Sequence, residues 1–408
     1  MKNYYLLSNC RLRRKDNTLY VENITSGERK PIPVEDVESL YLYGEVDLNT
    51  KLLNFLTQKR IPLHVFNYYG FYSGSYYPRE YLHSGFLVVH QVSHYIDTAQ
   101  RMALAQEFVR ASGHSLLRNV SYYSRRRGGL ETAPEETGGE IGLPLNDPHE
   151  PPDEPPDESA EPLTPLPDRT EPAMPADAEL EADIDGGLYA ASLMDDESTA
   201  PDAIPPGLNE LRATIESLAR QIETSRDVNA LRGIEGKMRE RYYQSWRHIV
   251  SGGWVFERRV RRPPDNEINA LISFGNSVLY TACLGEIYRT QLTPTIAYLH
   301  EPGTRRHSLA LDISEIFKPL IVDRAIFRLL NTKQLLPEHF SKDLGGCYLV
   351  DAGKKLFLAA LEERFSSTIL HRRLGRHVSY RHLIRLECYK LIRHLTGVEP
   401  YHAFRAWW

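Results

Sequence analysis

The chain has 408 residues and is 41% hydrophobic, long and apolar enough to form real cores in two or three domains, which excludes a wholly unfolded protein. Its formal net charge of −5 hides a division: residues 131–207 hold 22 Asp or Glu against Arg169 alone, with 15 of the 26 prolines, while the remainder carries 48 Lys or Arg against 32 Asp or Glu, about +16. A foldable body that basic is suited to a polyanionic partner. The four cysteines, Cys10, Cys283, Cys347 and Cys388, are too dispersed for zinc-finger or CxxC chemistry and read as reduced thiols. The apolar run at the start is too short for a signal peptide, and no window approaches 18 uninterrupted apolar residues. The expectation is a soluble cytoplasmic protein without a membrane partner.

In chain order, short alternating runs at 4–8, 18–23, 39–42, 62–67 and 71–77, separated by turn signals such as Lys15-Asp16-Asn17, predict strands, and 48–60 predicts a helix among them. Residues 1–88 therefore read as a small β-rich domain. Its tyrosines, among them Tyr41, Tyr43, Tyr68, Tyr69, Tyr72, Tyr76 and Tyr77, suit either of two roles: stacking platforms for unpaired bases, or packing of a sheet and its interface. A long amphipathic helix is expected at 95–126, within a connecting segment 89–127. Residues 128–207, rich in acid and proline with Tyr189 the only aromatic, cannot bury enough surface to offset their conformational entropy and read as a disordered insertion. That insertion is either a tolerated surface loop or an acidic decoy for the basic surface of its own chain. From 208 to 408 helical periodicity dominates, with helices expected at 208–223, 227–249, 267–288, 313–331, 354–365 and 380–395. The fold class is α+β multidomain: a small β-rich domain followed by a larger helical domain expected to be catalytic.

One stretch carries chemistry. Residues 298–324 place His300, Asp312 and Glu315 within sixteen positions of an apolar and basic run. An imidazole with hard oxygen donors, and no thiolate nearby, suits Mn²⁺ or Mg²⁺ acting on a phosphate. Positions i and i+3 share a helix face, so Asp312 and Glu315 can converge on one point. Asp312-x-x-Glu315 also has the form of a helix capping box. Basic residues surround the motifs in sequence: Lys237, Arg239 and Arg241, then Arg258, Arg259, Arg261 and Arg262. These can pair with phosphates without reading sequence. Phe404, Trp407 and Trp408 are apolar for a terminus and suit either a subunit contact or a local cap.

Two further segments complete a pattern: Leu-Arg-Gly-Ile-Glu-Gly-Lys-Met-Arg-Glu-Arg-Tyr-Tyr at 231–243, and Arg-Pro-Pro-Asp-Asn-Glu-Ile-Asn-Ala-Leu-Ile-Ser-Phe-Gly-Asn-Ser-Val-Leu-Tyr at 262–280. With 298–324 they resemble, in order and spacing, the CRISPR-associated adaptation integrases, the CRISPR-associated protein one family. The resemblance implies that Glu235, His300 and Glu315 ligate a catalytic Mg²⁺ or Mn²⁺, with Asp312 as a fourth member. It also implies a DNA endonuclease and integrase, in which the 3′-hydroxyl of a captured DNA fragment attacks a phosphodiester of the CRISPR array. A homodimer is implied, with two dimers bridged by CRISPR-associated protein two. The sequence departs from the family pattern at Gln291-Leu292-Thr293-Pro294, where a Gly-Leu-Asp-Pro turn is usual, at Asn276, where Tyr is common, and in the long insertion. Two other readings compete: a metal-independent ribonuclease of the helical HEPN type, from the Arg372-x4-His377 spacing, and a non-catalytic nucleic-acid scaffold.

Overall fold

The structure, a computed structural model, describes residues 2–24, 26–78, 82, 84–127, 207–303, 307–343, 345–371 and 373–406, with backbone alone for 124–127. The expected disordered insertion lies outside the described residues apart from Gly207 at its end, as do Arg372, Trp407 and Trp408.

The N-terminal region is strand-rich. One mixed sheet has the order β1 (Lys2–Leu6), β5 (Val37–Leu42), β7 (Leu63–Phe66), β8 (Tyr72–Tyr76), and a second has the order β4 (Arg29–Pro33), β3 (Thr18–Asn23), β2 (Cys10–Lys15), β6 (Val46–Asp47). Helix α1 (Thr50–Gln58) begins at Asn49, whose side chain accepts the Leu52 N–H, and Leu52, Phe55 and Leu56 close a core over Leu12, Leu19, Leu40 and Leu63. Strands β2 and β4 went unpredicted because arginines interrupt the first and prolines flank the second. The register nevertheless pairs β2 with β3 through six residues, from Cys10 with Asn23 to Lys15 with Thr18.

The larger portion is helical. The helix expected at 95–126 is α3 (Thr98–Arg127), and an unpredicted helix, α2 (Gly85–Ile96), precedes it. The break falls at Asp97, whose carboxylate accepts the Ala99 and Gln100 N–H groups and so caps α3 while ending α2. Then follow α4 (Leu208–Arg220), α5 (Val228–Ile249) and α6 (Glu267–Tyr288). Helix α6 is long and apolar enough to cross a membrane by length and composition, but 94% of its most apolar window is buried inside the protein, and it is the central core helix. The helix expected at 313–331 is three pieces: α7 (Ser308–Lys318), a π turn (Pro319–Asp323) and α8 (Arg324–Asn331). Pro319 has no N–H to donate to the preceding turn, and two carbonyls of the π turn accept from side chains: Asn119 donates to Pro319 O and Arg364 to Leu320 O, both at 2.8 Å. The chain ends through the β9 (Phe340–Asp343) and β10 (Gly346–Leu349) ribbon, α9 (Asp351–Ser366), the β11 (Thr368–His371) and β12 (Arg376–Ser379) hairpin, and α10 (Tyr380–Leu395).

Tyrosines join the two portions. The Tyr43 ring stacks on Phe66 at 4.2 Å and meets Phe274 of α6 at 5.5 Å, Tyr77 stacks on Tyr288 at 4.2 Å, and the Tyr72 N–H donates to Ser277 Oγ. Gly70, at φ +85°, lies under the Phe274 ring, where a Cβ would stand 2.5 Å from it. Of the two roles open to the tyrosines, interface packing holds for Tyr41, Tyr43 and Tyr77, while Tyr68 is 77% exposed. The C-terminal segment is a local cap as far as Phe404. That ring stacks on Phe317 of α7, Glu387 accepts the Phe404 N–H and the Tyr401 hydroxyl, and Glu107 accepts the Ala403 N–H.

Candidate metal centre

Helices α5 and α7 each pack on α3, which brings Glu235 and Glu315 to one place although 80 positions separate them in sequence. Glu235 lies one turn before Arg239 on α5, and its Oε1 accepts from Arg239 Nε at 2.8 Å. The same guanidinium reaches across to Glu315 Oε2 in a tight ion pair and donates to Ser112 Oγ of α3 at 3.3 Å. The other Glu315 oxygen accepts from Lys318 Nζ at 2.7 Å. The side chains of Arg239 and Glu315 are only 11% and 7% exposed. Burial alone would push the Glu315 carboxyl up, but Arg239 and Lys318, with His300, outweigh it and hold it down at about 2. Arg239 is correspondingly held well above its usual range: burial opposes the charge, but Glu315 and Glu235 outweigh burial.

His300 comes from the loop before α7 and is oriented by Asp312. Asp312 is fully buried, and both its oxygens are committed: Oδ2 accepts the Tyr298 and Leu299 N–H groups at 2.7 and 3.0 Å, and Oδ1 accepts the His300 N–H at 3.0 Å and Nδ1 at 2.8 Å. A carboxylate only accepts, so Nδ1 carries the proton and Nε2 is the nitrogen left to a ligand. The loop is tied from outside as well. Arg101 donates to Tyr298 O and pairs with Glu301, and Tyr95 donates to Glu301. At the departure Gln291-Leu292-Thr293-Pro294 the Gln91 amide of α2 bonds both N–H and C=O of Thr293.

Several expectations are corrected here. Helix α7 starts at Ser308 with His307 at its N-cap, so Asp312 lies inside the helix and the capping-box reading fails. Asp312 and Glu315 share a helix but not a target: Asp312 turns to the loop at 298–300 and Glu315 to Arg239 and Lys318. Arg239, expected on the DNA surface, is turned inward because its two carboxylate partners hold it there. Arg259 is likewise engaged on its own fold, donating to Asn269 Oδ1 at 3.1 Å and Ser273 Oγ at 2.9 Å of α6. Lys237 and Arg241 on α5, and Arg258 and Arg262 in the loop before α6, are exposed, while Arg261 is half-buried. His377 lies on strand β12 and not on the helix that the ribonuclease reading requires.

Among the described residues no three His, Cys, Asp or Glu side chains stand ready around a single point. The physical reason is Arg239, whose guanidinium fills the space between Glu235 and Glu315. The donor chemistry still fits a hard or borderline divalent ion: two carboxylates already gathered around one cation, and an imidazole nitrogen presented by Asp312. Lys318 escaped the sequence reading, although its i+3 spacing from Glu315 was a signal, as was the i+4 spacing of Arg239 from Glu235. Arg101, 197 positions from Tyr298, left no sequence signal.

A buried carboxyl lies beneath the cluster. Asp323, in the π turn, has no hydrogen-bond partner for Oδ2 among the described residues, and burial pushes it up to about 7 against the opposing pull of Arg239, the Tyr242 hydroxyl and Lys318.

Comparison with known proteins identifies the family. The family profile described as CRISPR associated protein Cas1 matches residues 4–141 and 191–363, so that its gap falls within the acidic insertion. A CRISPR-associated endonuclease Cas1 from Moorella thermoacetica is 41% identical and one from Thermodesulfovibrio yellowstonii 40%, each covering 100% of both chains. The solved structure of a CAS1 protein from Thermotoga maritima superposes with a TM-score of 0.70 at 36% identity, again covering 100% of both chains. A casposase bound to its integration product shares the fold at a TM-score of 0.70 with 15% identity, over 98% of this chain and 94% of that one. By profile, sequence and fold alike, the chain belongs to the CRISPR-associated protein Cas1 family.

Proposed function

We propose that the protein is a divalent-metal-dependent DNA endonuclease and integrase of CRISPR adaptation, inserting captured DNA fragments as new spacers into the array. The observation that carries this reading is the convergence of Glu235 and Glu315, from two helices, on one cationic position, with the Asp312-oriented His300 near enough to Glu315 to act on its carboxyl electrostatically. Relatives at about 40% identity are named CRISPR-associated endonucleases, which supports the nuclease part, and the shared fold with a casposase bound to an integration product is consistent with strand transfer.

In this reading Glu235, Glu315 and His300 Nε2 hold Mg²⁺ or Mn²⁺, which when bound polarises the scissile phosphate and stabilises the charge that develops on it. Asp312 keeps the His300 proton on Nδ1. The exposed Lys237, Arg241, Arg258 and Arg262 hold the DNA backbone without reading its sequence. The 3′-hydroxyl of the fragment forms a new bond to phosphorus as the bond from phosphorus to a 3′ oxygen of the array strand breaks. One phosphodiester replaces another, so no external energy source and no covalent protein intermediate is required. A homodimer, two of which are bridged by the companion Cas2, is the assembly proposed; a solved Cas6-RT-Cas1–Cas2 complex shares the fold at 14% identity.

The test is strand transfer of a defined duplex into a supercoiled array plasmid, with and without the companion protein, in Mn²⁺, in Mg²⁺ and in EDTA. Transfer abolished by EDTA is the expected result. Cleavage that survives EDTA overturns the metal reading, and no cleavage under any metal leaves a binding scaffold.

A further inference from the structure

The Arg239 guanidinium belongs to neither of the roles so far described: with its side chain only 11% exposed and paired to two carboxylates it is not part of the exposed basic face, and it is not a metal ligand. We infer that Arg239 is a resident cation that competes with the divalent ion for Glu235 and Glu315, and so sets how tightly the site takes metal. The inference rests on the proposed metal site and extends it to a residue which that site does not include.

Arg239 follows Glu235 by four positions, so its guanidinium is placed beside that carboxylate whatever else is present, at 2.8 Å here. Its Nη2, beside Nε on the same edge of the guanidinium, spans the gap to Glu315 on α7 and also donates to Ser112 Oγ on α3. Arg239 therefore cross-links the two helices that supply the candidate carboxylate ligands. A metal binding Glu235 and Glu315 must take over oxygens that Arg239 now holds, because a planar guanidinium between two carboxylates leaves no room for an ion at the same point.

Charge leads to the same conclusion. The cluster has three carboxylates, Glu235, Asp312 and Glu315, against two cations, Arg239 and Lys318, and because an imidazole binds metal only without a proton on the ligating nitrogen, the metal-binding form carries one net negative charge. A divalent ion added to that set overshoots neutrality by one charge. With Arg239 gone the set carries two negative charges, which the ion balances. A residue that merely positioned the ligands would act in the opposite sense, since removing it would scatter them and weaken binding.

The experiment is calorimetric titration of Mn²⁺ into the full-length wild type, Arg239→Gln, Arg239→Lys and Glu315→Gln proteins. Arg239→Gln should bind Mn²⁺ at least about tenfold more tightly than wild type, a ratio that corresponds to about 1.4 kcal/mol. It should also melt at a lower temperature without the ion and regain more on adding it. Arg239→Lys, which keeps the charge, should lie between the two. Affinity of Arg239→Gln equal to or below wild type overturns the inference. If wild type binds no Mn²⁺ that Glu315→Gln loses, the metal site itself is wrong and the inference falls with it, a result distinct from the first. Should Arg239→Gln fail to fold, the wild-type Arg239 side-chain N–H resonance, identified by its loss in Arg239→Lys, serves instead. It should shift as Mg²⁺ binds, and an unchanged resonance at saturating Mg²⁺ overturns the inference.

Discussion

Asp312→Asn preserves shape while it removes the charge and turns one accepting oxygen into a donating NH₂, and it tests the arrangement of the candidate site most directly. In the wild type four donors converge on one buried carboxylate: the N–H groups of Tyr298, Leu299 and His300, and His300 Nδ1, at 2.7 to 3.0 Å. An amide has one accepting atom where the carboxylate has two. If its NH₂ replaces Oδ2, it faces the Tyr298 and Leu299 N–H groups, and two buried donors lose their acceptor. If it replaces Oδ1, it faces the His300 N–H, and the imidazole can answer only by moving its proton from Nδ1 to Nε2. Each buried donor left without an acceptor costs about 1 to 3 kcal/mol, and the bonds that survive lose the ionised acceptor that strengthened them. The variant should therefore be about 2 to 5 kcal/mol less stable than wild type by urea unfolding. In the second orientation the proton on Nε2 also blocks the nitrogen that would bind metal, so Mn²⁺ affinity and strand transfer should fall together. The reasoning is refuted if Asp312→Asn unfolds within about 0.5 kcal/mol of wild type and binds Mn²⁺ as tightly.

Glu235→Ala, His300→Ala and Glu315→Ala should each abolish metal-dependent strand transfer yet leave duplex affinity within a few fold, as read by fluorescence anisotropy; transfer retained by His300→Ala at ordinary Mn²⁺ would remove it from the ligand set. Replacing Lys237, Arg241, Arg258 and Arg262 together should flatten the dependence of log affinity on log salt by up to about 3 to 4, at roughly 0.9 per phosphate contact, whereas Arg239→Gln should leave that slope unchanged. Asp323, pushed up to about 7, keeps its proton in the folded protein where the unfolded chain has lost it, so wild-type stability should fall as pH rises from about 4 to about 7. Asp323→Asn should therefore gain on wild type by a few kcal/mol, about 3 to 4 at most, between those limits in urea melts at each pH; a constant difference would show that the group does not titrate there. Deleting residues 131–207, with 22 acids and one Arg, and joining the ends with a short Gly-Ser linker should tighten DNA binding at low salt, with the gain fading above about 0.15 M, where the Debye length is roughly 8 Å. Equal affinity at every salt would make the segment a tolerated loop.

Local physics was legible in the sequence. Helix α6, as a long apolar run, and helix α10, by its periodicity, each follow a capping side chain, Asn266 and Ser379, and both were predicted with the bounds observed, Glu267–Tyr288 and Tyr380–Leu395. The strand-rich start, the helical remainder and the charge division are likewise properties of short windows. The motifs holding Glu235, His300, Asp312 and Glu315 identified the family, because an ordered set of residue types survives in the sequence whatever the packing. Which way each side chain turns was not written there. Asp312 and Glu315 stand one helical turn apart and face different partners, because α7 packs with the 298–300 loop at one residue and with α5 at the other. Arg239 reads in sequence like Lys237 and Arg241, all three in one basic run on one helix. Only the approach of α7 to α5 supplies Glu315 as a second carboxylate and buries the arginine between two ligands. A periodicity reports which face of a helix is apolar; the depth at which a charge lies, and the charge it meets there, depend on helices that the chain brings together across 80 positions.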